Sequence, residues 1–214
     1  MRDDIDTRTD EELVEDYLEG DVVAFRVIIE RYHDALMGFL TRLTGQRQLA
    51  EDVFQDTFLQ LHQSLETFDS SRRFKPWLFT IAANKGRDAL RKIQRRPTVS
   101  LSATMDDSGE GRSFVDLMGD DDPDITRNLS DEDRSALVQK AVDRLSPRLR
   151  EVLLLAYFQR MSYAQIAEVC QIPLGTVKSR LHAAVSGFAK RWDEVVEEQR
   201  ASEARAQAQW REQA

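Results

Sequence analysis

The chain has 214 residues, of which 41% are hydrophobic and 32% charged, and its net charge is −8. That length holds one large or two small domains with real apolar cores. No apolar run approaches a membrane span, and the acidic start MRDDIDTRTDEEL lacks the apolar stretch of a signal peptide, so no membrane insertion is expected.

The lone cysteine, Cys170, cannot make an internal disulfide, which fits a reducing cytoplasm. Cys and His do not cluster, so no metal site or cofactor is expected. The acidic balance argues against a nucleic-acid partner until its distribution is read. Residues 1–21 hold ten acidic and two basic residues, and residues 98–129 hold eight and two. Residues 84–96 instead hold six basic residues (Lys85, Arg87, Arg91, Lys92, Arg95 and Arg96) against Asp88 alone. Acidic ends and an acidic middle thus surround basic surfaces that can bind phosphates locally.

With 9 Gly and 5 Pro, the chain favours helices throughout, and an all-α fold is expected. Thr9 and Glu12 have the form of a capping box opening a helix with Leu13, Val14, Tyr17 and Leu18, which Gly20-Asp21 ends. From Val22 to Leu43 the apolar residues return at helical steps, and Thr44-Gly45 stops that helix. Leu49–Leu65 is amphipathic, with Phe54, Phe58, Leu61 and Leu65 as its buried stripe. Glu51, Asp52, Gln55 and Asp56 crowd the other side. Acidic groups in the first turns suit the helix macrodipole, and they equally suit a dock for a basic partner.

A short polar loop, Phe68–Lys75, follows, flanked by Phe68, Phe74, Trp77 and Phe79. The next helix has Trp77, Leu78, Ile81 and Ala82 on its inner face, so Trp77 reads as a core residue, and it ends in the basic run Arg91–Arg96 before Pro97. Basic groups suit a helix C-terminus. Beside aromatics and a polar loop, they also suit melted DNA, with cations on phosphates and rings stacking on unpaired bases. Thr98–Leu129 is Ser-, Asp- and Gly-rich and reads as a flexible linker in which Phe114–Met118 could dock transiently.

Past the linker, Leu137, Val138, Ala141, Val142 and Leu145 mark one helix, and Ser146-Pro147 restarts the next. SYAQIAEVCQIPLGTVKSRLH (162–182) then reads as two short helices and a turn. Ser162 and Gln165 form a capping box, and Pro173 forbids a continuous helix. The second helix buries Val177, Leu181, Ala184, Val185, Phe188 and Trp192. Thr176, Ser179, His182 and Ala183 lie opposite, flanked by Lys178 and Arg180. That shape fits a DNA major groove, and it also fits an ordinary helical hairpin in a bundle. After Lys190 the chain is charged and helix-prone and either extends this helix or frays.

These motifs in this order resemble the bacterial sigma-70 family, in particular its compact extracytoplasmic-function (ECF) group, over about residues 10–192. AEDVFQDTFLQL resembles region 2.2, FKPWLFTIAANKGRDALRK regions 2.3 and 2.4, and LSPRLREVLLLAYFQRMSYAQIAEVCQIPLGTVKSRLHAA region 4. The resemblance implies region 2 over residues 1–97, a linker over 98–129, region 4 over 130–192 and a charged extension over 193–214. It implies core RNA polymerase (its β′ clamp and β subunit) and promoter DNA as partners, and for some members an anti-sigma factor. Asp52, Gln55 and Asp56 would dock on the polymerase. Phe68 and Asn84 would hold a flipped base of the −10 element under the Asp69–Arg73 loop, with Lys85, Arg87, Arg91 and Lys92 on the DNA. Thr176, Lys178, Ser179, Arg180 and His182 would read the −35 duplex. The acidic linker would run near the RNA exit path as a nucleic-acid mimic.

The chain departs from the family pattern in places. Gln171 stands where the turn glycine is usual, which implies a distorted turn, and Ala183 and Val185 stand where basic residues are common. His62 stands where an aromatic is common and carries no assigned role. A stand-alone helix-turn-helix regulator with an N-terminal sensing or dimerisation domain is the competing reading, but such a domain needs no basic, aromatic face at 74–92. A hydrolytic or redox enzyme fails on residues. Cys170 lies inside the helix-turn-helix, and His33, His62 and His182 are scattered without nucleophile partners, so no catalytic residue is assigned.

Overall fold

A computed structural model describes residues 6–95 and 131–213, and every regular element among them is helical. The expected linker at 98–129, with Phe114–Met118, lies outside the described residues, as do Arg96 and the side chain of Trp210. The elements are α1 (Asp10–Leu18), α2 (Val22–Thr44), α3 (Arg47–Ser64), a 3-10 turn (Leu65–Thr67), α4 (Phe74–Arg95), α5 (Asp131–Asp143), α6 (Pro147–Leu153), a π-helical turn (Leu154–Phe158), α7 (Tyr163–Cys170) and α8 (Leu174–Gln213). By packing they divide into two units. One gathers α1–α4 with Leu154–Leu174, and the other holds α5, α6 and the chain from Gly175 onward.

In the first unit α1–α4 close around Leu13, Ile28, Leu36, Phe39, Leu40, Leu61, Phe74, Leu78 and Phe79, all essentially inaccessible. The caps explain the boundaries. Thr9 and Glu12 form the reciprocal capping box at the start of α1. Asp21 accepts the Val23 N–H at the start of α2, and Gly45 ends that helix at φ 72°, a left-handed conformation that glycine adopts without a Cβ penalty. Gly86 sits at the α2–α4 contact: a Cβ on it would stand 2.8 Å from Leu43 Cδ2, so any larger residue there would push the Leu43 side chain aside. On α3 the buried line is Ala50, Val53, Thr57, Phe58 and Leu61. Phe54, expected in the stripe, is only half-buried and packs edge-on against His33 at 5.3 Å.

The N-terminal residues are tied down by charge. Arg8 pairs with Asp6, Asp16 and Asp21, and Arg31 holds Asp10 at 2.7 Å and the Arg8 carbonyl at 2.8 Å. The hydrogen bonds from Arg8 hold the Asp6 carboxyl at a pKa of about 2. Tyr32 OH donates to Asp10, and burial first, then that carboxylate, raise the phenol pKa.

The second unit has its own core of Leu137, Ala141, Val142, Val152, Val177, Ala184, Phe188 and Val195. Arg150 supports it from beneath the C-terminal end of α5, where helix carbonyls run out of intrahelical donors. Its Nε donates to the Val142 carbonyl at 3.1 Å, and its Nη2 reaches the carbonyls of Asp143 and Leu145. Beyond residue 192 the chain continues α8 and does not fray. Val195 and Val196 are buried, and Arg144 holds Glu194 at 3.6 Å and Glu198 through two hydrogen bonds.

Candidate nucleic-acid interface

The Phe68 end of the first unit is an aromatic stack set by its loop. The Phe68 N–H donates to the Leu65 carbonyl at 3.0 Å, closing the 3-10 turn. Its ring lies 4.7 Å from Trp77 at an interplanar angle of 34°, and edge-on to Phe74 at 5.7 Å. Trp77, expected in the core, is half-buried, and its partner is Phe68. The loop between Phe68 and α4 is internally braced. Asp69 Oδ1 accepts the Ser71 N–H at 3.0 Å, and the Asp69 carbonyl accepts the Arg72 N–H at 2.9 Å. Hydrogen bonding from Ser71, by its side chain first and its N–H second, lowers the Asp69 pKa.

Trp77, Asn84 and Arg91 are spaced by seven residues, about two helical turns, so they form one stripe along α4 with roughly 10 Å between neighbours. Asn84 therefore lies on the Phe68–Trp77 side, and its Oδ1 accepts from Arg87. Lys85 and Lys92 form the adjoining stripe. Lys85, Arg91 and Lys92 line a cleft of about 550 Å³ between α3 and α4, floored by Leu49, Val53, Ala89 and Ile93. The opposite wall is Asp52 and Asp56. The fold thus brings together two groups of residues that the sequence suggested for separate partners. Gln55 is exposed but is not among the residues lining this cleft. Asp88, on the α4 wall, pairs with Arg91.

The helix-turn-helix is built as its caps dictate. Ser162 and Gln165 form the capping box of α7. Gln171 ends it at φ 54°, ψ 47°, with its N–H on the carbonyls of Ala167 and Glu168, and the Ile172 N–H returns to Ala167 at 3.1 Å. The left-handed position is therefore filled by a non-glycine residue, and the turn keeps its hydrogen bonds. The expected distortion is absent. Along α8, Val177, Leu181, Ala184, Val185 and Phe188 are buried, whereas Trp192, expected on the same face, is half-buried and stacks on Phe188 at 6.1 Å; Lys178, Ser179 and His182 are exposed. Thr176 and Arg180 are half-buried beside them, and Ser179 Oγ donates to the Thr176 carbonyl at 3.1 Å.

Two features of this region were missed in the sequence. Glu11 of α1 accepts the Phe74 N–H at 3.0 Å and so caps α4 from a distant helix, a role no local motif announces. Arg72, Lys75 and Arg42 are engaged by residues 158–168 through Glu168, the Gln159 carbonyl and the Phe158 ring respectively. Among the described residues, no group of three or more His, Cys, Asp or Glu side chains could hold a metal ion, and no helix is long and apolar enough to cross a membrane.

Comparison with known families then decides the assignment. Residues 28–96 match the Sigma-70 region 2 model, and residues 135–186 match the Sigma-70, region 4 model. The chain belongs to the sigma-70 family. Within it, this sigma factor is similar to the ECF RNA polymerase sigma factor SigW of Bacillus subtilis, at 30% identity over 168 residues, covering 77% of this chain and 86% of that protein. Its fold is similar to that of CnrH, solved in complex with the cytosolic domain of CnrY, with a TM-score of 0.63 at 24% identity over 87% of this chain and 99% of that one. It is also similar to the sigma factor RpoE of Bartonella quintana, solved with the anti-sigma factor NepR, with a TM-score of 0.58 and 26% identity over 82% and 98% of the two chains. This sigma factor is thus an ECF-type member with the all-α fold of its relatives.

Proposed function

We propose that this protein is an ECF-type sigma factor that binds core RNA polymerase, directs it to specific promoters and promotes DNA melting. The observation that carries the reading is the pairing of matches to both region 2 and region 4 in one chain. A stand-alone helix-turn-helix regulator would need only the second. The protein works in the cytoplasm, performs no covalent chemistry and needs no cofactor. An anti-sigma factor as a further partner is supported by the complex in which RpoE was solved.

Residues 1–97 act as region 2, 98–129 as the linker, 130–192 as region 4, and 193–214 as an extension. Asp52, Gln55 and Asp56 meet the polymerase clamp, and their exposure supports that role. Phe68 and Asn84 hold an extruded −10 base, supported by the aromatic stack and by the shared stripe of Trp77, Asn84 and Arg91. Extrusion costs a few kcal/mol of stacking, which ring contacts of about 1–3 kcal/mol per base offset. Lys85, Arg87, Arg91 and Lys92 neutralise phosphates beside that base. Thr176, Lys178, Ser179, Arg180 and His182 read the −35 duplex from the exposed side of α8, whose N-terminal turns favour a phosphate.

Co-purification with core polymerase tests the reading. Retention of the full chain on core polymerase, lost when Asp52 and Asp56 are both changed to Lys, is expected. Absence of any binding by the unaltered chain contradicts it.

A further inference from the structure

The helix that carries the aromatic stack, α4, begins without a local cap. The residue before Phe74 is Arg73, whose side chain has no acceptor, and Asp69 is engaged with Ser71 and Arg72. The Phe74 N–H is met from α1 instead, by the half-buried Glu11 carboxylate at 3.0 Å. The neighbouring carboxylate holds the ring of the same residue at one remove. Asp10 accepts from Tyr32 OH, and the buried Tyr32 ring lies 5.7 Å from that of Phe74. Asp10 is itself held by Arg31 at 2.7 Å, whose Nη2 also donates to the carbonyls of Asp6 at 3.1 Å and Arg8 at 2.8 Å. Leu13 and Val14, essentially inaccessible, seat α1 in the core. Phe74 in turn packs on Phe68 at 5.7 Å and on Trp77 at 5.9 Å. Asp10 and Glu11 lie outside the region 2 match, which begins at residue 28.

We infer that Asp10 and Glu11 are positioning residues for promoter opening, which hold Phe74 by its ring and by its backbone and so set the aromatic seat of the −10 base pocket. The inference rests on the promoter-opening reading above. Neither carboxylate needs to touch DNA, because both act through Phe74. The Phe68 ring comes from a loop and rests on Phe74 and Trp77, the first and fourth residues of α4. Without the Glu11 acceptor the first turn of α4 has a donor to lose to water, and fraying there would move both rings that support Phe68. A pocket ordered before the base arrives adds no ordering cost when the base enters. What Glu11 supplies is an acceptor at a fixed place, so a neutral acceptor of the same length should serve. What Asp10 supplies is the partner of a buried hydroxyl, which fixes the Tyr32 ring against Phe74.

The test uses the full chain, core polymerase and a promoter recovered by run-off transcription. Opening is read by permanganate at saturating sigma factor, beside affinity for core polymerase. Glu11→Ala is expected to slow opening about fivefold, and Glu11→Gln to stay within about twofold of wild type. Core affinity is expected to be unchanged in both. Loss of one cap leaves the folded fraction near one, so a drop in opening at constant core affinity isolates the local effect. Equal opening by Glu11→Ala and wild type overturns the inference. So does equal slowing by Glu11→Gln, or a core affinity that falls in step with opening. Tyr32→Phe keeps the ring and removes its tie to Asp10, and is expected to slow opening about threefold; an unchanged rate overturns the Asp10 half. In the free chain, NMR hydrogen exchange of the Phe74 amide should be about fivefold faster in Glu11→Ala than in wild type, and an equal rate overturns the backbone contact. That exchange is read without polymerase. If the unaltered chain opens no promoter, the proposed function fails and the positioning role with it, while the exchange rates decide the contact by themselves.

Discussion

Glu11 on α1 accepts the backbone N–H of Phe74, 63 residues away, at 3.0 Å, and so supplies the first turn of α4 with its cap. Phe74 is fully buried and packs on Phe68, Trp77 and Tyr32, so this bond fixes where the aromatic stack begins. Glu11→Ala should therefore cost about 1 kcal/mol, as loss of a cap does, and Glu11→Gln much less, because its amide oxygen still accepts. Urea denaturation reads the difference. Equal stability of Glu11→Ala and wild type would show that water replaces the cap.

Gln171 holds a left-handed conformation at φ 54°. For a residue with a Cβ this costs about 1–2 kcal/mol. Gly at 171 removes that strain and adds about 0.4–1 kcal/mol of unfolded-state entropy, so Gln171→Gly should stabilise by about 0.5 kcal/mol or slightly more. Gln171→Val, β-branched at positive φ, should destabilise. Guanidinium midpoints give both signs, and a destabilised Gln171→Gly would mean the Gln side chain itself contributes at the turn.

The N-terminal clamp should be acid-labile. The Asp6 pKa lies at about 2 through its hydrogen bonds to Arg8, and those of Asp21 and Glu12 are lowered by their own hydrogen bonds, to Arg8 and to Thr9 respectively. A carboxyl depressed on folding contributes stability above its unfolded pKa, and that stability is lost as pH falls through the folded one. The contribution is thus intact above about pH 4 and disappears between about pH 4 and 2. NMR titration of residues 6–21 should show release in that window, with Arg8→Ala abolishing the transition. Release near pH 6 would point to another group.

Phe68→Ala and Asn84→Ala should impair promoter opening more than duplex binding. Loss of one aromatic stacking platform is worth about 1–3 kcal/mol, or roughly 5- to 150-fold in opening. Permanganate reactivity of the −10 thymines reads it, and equal melting by the variants contradicts the pocket. Lys178→Ala should instead weaken binding to a −35 duplex and lower the salt slope by about 1 if it contacts phosphate. An unchanged affinity and slope would remove Lys178 from the interface.

Local signals in the chain are written in short-range chemistry, and those were legible. Thr9 with Glu12, Ser162 with Gln165, Gly45 and Ser146-Pro147 each act within a few residues, and each stands where the pattern placed it. The buried line of α8 followed from its period as far as Phe188, while Trp192, one turn further, is only half-buried. What was not legible depends on residues brought together from far apart. Trp77 read as core because periodicity reports which side of a helix faces inward, and its partner Phe68 comes from a loop with no period. The cleft that sets Asp52 and Asp56 opposite Lys85 and Lys92 needs the packing of α3 on α4. The engagement of Arg72 by Glu168 spans 96 residues and leaves no mark on either neighbourhood.

The central claim is that this chain directs polymerase to promoters, and run-off transcription tests it most directly. Purified core polymerase, the full-length protein and a genomic promoter library are combined, and transcript 5′ ends are sequenced. Discrete start sites dependent on the protein, sharing two motifs at fixed spacing and reduced by Asn84→Ala, are the predicted result. Transcripts identical to those of core polymerase alone would contradict it.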